Sequence, residues 1–174
     1  MILKTFIILT FLFSFSVFGQ NGIKCIDGDC MNGTGISEDN VGIRYEGSFQ
    51  GGVKTGKGRQ TDSQGNIYVG DWKNDLPNGK GVYTLTSGDQ KKYTGYFKDG
   101  NYNGVGTLIY ANGDKYIGEF KKDKRSGSGT MIFKADKKIF IGKWKSDKQN
   151  GKGVYYSYSS SESVKFNKGS LVSR

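Results

Sequence analysis

The chain has 174 residues, enough for one domain, with a formal net charge of +10 and no histidine at all. Without histidine, Ser-His-Asp and Cys-His catalysis, histidine metal sites and the usual side chain that titrates near neutral pH are excluded. Only 34% of residues are hydrophobic, but 14% are aromatic and 28 are glycine, and aromatics at fixed intervals point to thin ordered β-structure rather than disorder.

The chain opens on a targeting segment. Lys4 supplies a positive start, Phe6 to Phe18 form an apolar stretch, and Val17 and Gly19 stand at −3 and −1 of a cleavage site before Gln20. Residues 1–19 read as a signal peptide, too short to span a bilayer. The mature chain loses only Lys4 among its charges, and no transmembrane span is expected after cleavage. Residues 20–44 form an N-terminal cap in which Cys25 and Cys30 sit close together. In an oxidising compartment they read as a candidate disulfide. Two cysteines without histidine fall short of a zinc shell, and their spacing is not Cys-x-x-Cys. No cofactor is implied.

From Tyr45 to Tyr158 one unit repeats five times. The copies begin Tyr45-x-Gly47-x-Phe49, Tyr68-x-Gly70-x-Trp72, Tyr93-x-Gly95-x-Phe97, Tyr116-x-Gly118-x-Phe120 and Phe140-x-Gly142-x-Trp144, in steps of 23, 25, 23 and 24 residues. A Gly-x-Gly pair follows each: Gly56/Gly58, Gly79/Gly81, Gly104/Gly106, Gly127/Gly129 and Gly151/Gly153. A period of this length signals an array of units that bury apolar surface only against their neighbours. Alternation puts Tyr93, Gly95 and Phe97 on one face of a strand, and Gly104, Gly106, Leu108 and Tyr110 on one face of the next. The glycines leave room for rings from the neighbouring strand to lie over the backbone. Tight hairpin turns are predicted at Gln64-Gly65, Ser87-Gly88 and Asn112-Gly113, and longer polar connections at Lys73 to Pro77 and Lys98 to Tyr102.

The fold class is therefore all-β: an elongated single-layer antiparallel meander of about ten strands, with one aromatic-rich and one polar face. Tyr96 and Tyr102 lie off the packing register and are expected to be exposed. Gln60 and Asp62 depart from the apolar residues of later copies, as a terminal copy would. Ala135-Asp136-Lys137 replaces the Gly-centred turn in the fourth copy. Residues 159–174 form a C-terminal cap and tail, with Val164-Lys-Phe166 as a last edge strand.

These motifs resemble the MORN repeat family, and the segment Gly-Asp-Cys30-Met-Asn-Gly-Thr-Gly35 resembles the start of its secreted bacterial members. The resemblance implies an elongated β-meander with no catalytic residues. Members of the family serve mostly as scaffolds and attachment modules, and membrane-lipid binding is often proposed for them.

Charge is the remaining functional signal. Between Lys115 and Lys152 lie twelve Lys/Arg against four acids. Lys121, Lys122, Lys124 and Arg125, with Lys137 and Lys138, form a candidate patch for anionic phospholipid or an envelope polymer. The other reading is a solvated face that keeps an exposed sheet soluble. Aromatics interleaved with lysines can stack single-stranded nucleic acid, but these rings occupy structural positions and export makes such a partner unexpected. No acidic pair has the context for acid/base catalysis. The sequence reads as a secreted, non-enzymatic scaffold that binds a protein partner at the cell envelope, with anionic lipid or polymer binding as the alternative.

Overall fold

The computed structural model describes residues 22–157 and 160–173, so the expected signal peptide lies outside the described residues. Fourteen strands form one antiparallel sheet in strict sequence order. They fall into seven hairpins. The first joins β1 (Lys24–Gly28) to β2 (Thr34–Glu38). Five central hairpins follow: β3 (Arg44–Gln50) with β4 (Val53–Thr61), β5 (Ile67–Lys73) with β6 (Leu76–Thr84), β7 (Gln90–Lys98) with β8 (Asn101–Tyr110), β9 (Lys115–Lys121) with β10 (Lys124–Phe133), and β11 (Lys138–Lys145) with β12 (Lys148–Ser157). The last pairs β13 (Ser160–Asn167) with β14 (Ser170–Ser173). The expected ten strands become fourteen because each cap is itself a hairpin. Cys25 and Cys30 are joined by a disulfide that ties β1 to the turn before β2.

A single sheet has no second layer to bury its rings, so the rings bury one another. Tyr45 meets Phe49 of its own repeat edge-on at 5.1 Å and Trp72 of the next at 5.0 Å. The pattern recurs as Tyr68–Phe97 at 4.9 Å, Tyr93–Phe120 at 5.1 Å and Tyr116–Trp144 at 5.3 Å. Edge-to-face geometry of this kind adds about 0.5–1.5 kcal/mol per pair beyond area burial. Tyr45, Tyr93, Tyr116 and Phe140 are fully buried on this ladder.

The two glycines of each Gly-x-Gly do different work. Gly81 lies opposite Gly70, and a Cβ on it would come within 2.5 Å of the Tyr68 hydroxyl. The ring lies across both glycines and donates its Oη proton to the Asp71 carbonyl at 2.9 Å. The first glycine, such as Gly79 with φ +111°, instead sits in a left-handed bulge, where the ladder loses register. Only the second glycine is therefore a ring-packing residue.

Turn lengths are the reverse of those predicted. The connection inside each repeat is a two-residue turn, such as Asn74-Asp75 with φ 50° and 65°, or Lys122-Asp123 with φ 48° and 65°. The Gly-centred connections between repeats are the longer loops. Two-residue hairpins need positive φ at both positions and favour Asn or Asp with Gly. Here Asp substitutes, held by the preceding repeat: Asp123 accepts from Tyr102 N–H at 2.8 Å, and its own N–H donates to the Tyr102 carbonyl at 3.1 Å. In the fourth copy, Lys137 takes the left-handed position at φ 51° that glycine fills elsewhere.

Candidate interaction surface

Register divides every strand into two faces, and the aromatic face is fully committed. Nine residues after each opening aromatic stands a side chain that closes the ladder: Lys54, Pro77, Tyr102, Arg125 and Gln149. Tyr102 is 7% exposed, against the exposure expected of it, and stacks on Tyr93 with centroids 3.7 Å apart. The two-residue turn pairs it with the buried Phe97, on the same face of β8 as Gly106 and Leu108. Lys54 lies 5.0 Å from the Tyr45 ring and 5.3 Å from the Trp72 ring, and donates to Gln60 Oε1 at 2.6 Å. This gives the atypical Gln60 its role. Desolvation lowers the Lys54 pKa and raises that of Tyr45 to about 12.

Arg125 occupies the same place in the fourth repeat. Its guanidinium lies 4.4 Å from the Trp144 ring, Nε pairs with Asp147 at 3.2 Å, and Nη2 donates to the Asp147 carbonyl at 2.7 Å. It clamps two repeats together from the aromatic face. Lys121, Lys122 and Lys124 cluster around the β9–β10 turn, whereas Lys137 and Lys138 lie at the far end of β10. The structure brings three of the six candidate residues together and separates the other three from them.

The opposite face is not polar throughout. Val69, Val82, Thr94, Thr107, Ile117, Thr130, Ile141 and Val154 are successive cross-strand partners, forming one row across β5 to β12. β-Branched residues suit this pleated surface, and Val69, Ile117 and Ile141 remain 43–48% exposed. Tyr96 is exposed on the same face, as expected, with Lys80 Nζ 5.5 Å from its ring. A 740 Å³ groove runs over Val69, Val82 and Thr94 between Arg59, Lys80 and Tyr96. A second recess of 370 Å³ has Ile117, Thr130 and Ile141 as its floor and Lys143 and Lys152 beside them.

The lysines of this face in β9 to β13 lie outside the candidate set, apart from Lys121 and Lys124. Parity places Lys143, Lys145, Lys148, Lys152 and Lys165 here, with Glu119 as the single acid. Odd spacing from the opening aromatic marks Lys143 and Lys145 in the sequence, whereas the two-residue turn reverses the parity for Lys148 and Lys152 on β12. Among the described residues no three of Cys, Asp and Glu gather as metal ligands, and no helix is long and apolar enough to cross a membrane.

The family model described as MORN repeat matches residues 45–67, 68–90, 93–115, 116–135 and 140–162, well over half of the chain. No curated protein matches it. Among solved structures it is similar to the TCP domain of Drosophila melanogaster SAS-4 (dCPAP), determined in complex with a proline-rich motif of Ana2 (dSTIL). Identity is 15% over 86% of this chain and 88% of that one, with a TM-score of 0.46.

Proposed function

The chain belongs to the MORN-repeat family, whose repeats generally serve as scaffolds for protein or membrane interaction, and from that premise we propose a secreted, non-enzymatic scaffold that binds a protein partner at the cell envelope. The observation that carries this reading is the division of labour between faces. Rings, tyrosine hydroxyls and the side chain nine positions on are spent on holding the sheet, while the other face leaves a row of aliphatic residues open to solvent. Exposed apolar surface rimmed by polar residues marks interaction sites.

A photo-cross-linking side chain at Ile141, compared with one at the half-buried Tyr83 on the aromatic side, tests the assignment in cells of the source organism. A discrete protein adduct from Ile141 alone is expected; equal labelling from both positions, or none, defeats it. Export through residues 1–19 predicts that protein recovered outside the cytoplasm begins near Gln20, read by N-terminal sequencing.

The second reading is peripheral attachment to anionic lipid or polymer at the exposed β9–β10 turn through Lys121, Lys122 and Lys124. It predicts vesicle binding that fades as ionic strength rises and disappears when the three lysines are neutralised together. Cosedimentation unchanged by that triple substitution removes the reading.

A further inference from the structure

On the non-aromatic face, the fourth and fifth repeats set like charges directly opposite one another. Lys121 pairs across the strands with Lys124, Lys145 with Lys148, and Lys152 with Lys165. The earlier repeats avoid this: Lys73 faces Leu76, Lys98 faces Asn101 and Gln50 faces Val53. Like charges placed directly opposite destabilise an antiparallel sheet. The acids in the two intervening turns are engaged elsewhere: Asp123 accepts from Tyr102 N–H and Asp147 pairs with Arg125. Glu119, the acid of this face, accepts from Ser128 N–H at 2.8 Å. The folded chain thus carries repulsion that an anionic partner would relieve.

Apolar surface lies beside this charge. Along the strand axis, the lysine pairs give way to the row of Ile117, Thr130, Ile141 and Val154, and then to Ile132, Ile139 and Tyr156. Lys143 and Lys152 flank the recess floored by Ile117 and Ile141. From β9 to β13 the surface spans about 19 Å, at about 4.8 Å per strand. One small anion cannot meet lysines spread so widely. A flat bilayer would meet the ammonium groups before reaching the floor of the recess.

We propose that this half of the sheet docks an acidic polypeptide segment of a partner protein, its carboxylates meeting Lys145, Lys148, Lys152 and Lys165 and its aliphatic side chains entering the recess at Ile117 and Ile141. An acidic segment is the partner class for the contact face proposed above, and its assignment rests on that reading. Such a partner associates faster at low salt, because the field of the lysine rows steers it.

The probe is a labelled eight-residue peptide alternating Glu with Val, compared with versions carrying Gln or Lys in place of Glu and with phosphatidylglycerol-containing vesicles. It is tested on the mature, oxidised protein and on a variant with Lys145, Lys148, Lys152 and Lys165 each changed to Gln. The acidic peptide binds, the Lys version does not, and the variant binds about tenfold more weakly. With two of the three like-charge pairs gone, the free variant melts about 2 °C higher. Equal binding of the Glu and Gln peptides, vesicle binding without peptide binding, or no peptide binding overturns the inference, as does a variant that melts lower. A protein adduct from the Ile141 cross-linker in any of those cases leaves the scaffold reading standing with a partner of different chemistry.

Discussion

At the scale of single residues, the opening tyrosine does three things that no substitute does together. Its ring joins the edge-on ladder, its plane covers two facing glycines, and its hydroxyl satisfies a backbone carbonyl, as Tyr93 does for Tyr96 at 2.9 Å. Gly81→Ala should cost about 1–3 kcal/mol by overpacking under Tyr68. Gly88→Ala meets open space and carries only the strain of φ +86°, about 1 kcal/mol. Chemical denaturation of both variants tests that ranking. Alkaline pH probes the same rings. Burial raises the pKa of Tyr45 from 10.0 to about 12 and shifts Tyr68, Tyr93, Tyr102 and Tyr116 in the same direction. A raised tyrosine pKa contributes stability that is whole below about pH 10 and is lost as pH climbs through the folded value. Lys54, with its pKa lowered, opposes this as a single group. Melting temperature should therefore fall steeply above pH 10, with tyrosinate absorbance rising together with loss of the β-sheet signal; tyrosinate appearing while the sheet stays intact would contradict the burial argument.

At the scale of the hairpin, the two-residue turn and the residue nine positions from the opening aromatic form one device. Each turn docks onto the ladder-closing residue of the repeat before it, as Asp147 does on Arg125 and Asp123 on Tyr102. Asp147→Ala removes acceptors for Arg125 N–H and Nε while leaving a β-carbon at φ 67°. A loss of about 2–3 kcal/mol is expected from a charged hydrogen bond and an unfavourable left-handed residue. Asp147→Gly should recover the conformational part alone, and equal losses in thermal unfolding would show that strain contributes nothing. Asp in these turns was legible in the sequence, but its partner was not. Asp123 and Tyr102 are far apart in the chain and meet only because neighbouring hairpins pack in register.

At the scale of the whole molecule, strand pairing joins only neighbours and the ring contacts reach only the next repeat, so stability should propagate as a sum of hairpins and their interfaces. Amide exchange is expected to be slowest in β7 to β10 and fastest in β1 and β14, whose residues are exposed throughout; uniform protection would mean that the array unfolds as one unit. The sequence by itself determined the period, the all-β meander, the ladder of rings and the Cys25–Cys30 proximity, because all arise from local alternation and fixed spacing. It left the strand number short, since the capping hairpins lack the rings that announce a repeat: Val164 stands where Gly142 stands one repeat earlier, and Phe166 where Trp144 does. Turn lengths and the burial of Tyr102 needed the pairing register: the two-residue turn sets Tyr102 opposite Phe97, and the bulge beyond it takes up the extra residues of β8. The face that a lysine occupies is likewise decided by pairing between strands. Charge along the chain was plain to read, but only the tertiary structure moved Arg125 onto the aromatic side and set Lys145 against Lys148 and Lys152 against Lys165 on the other.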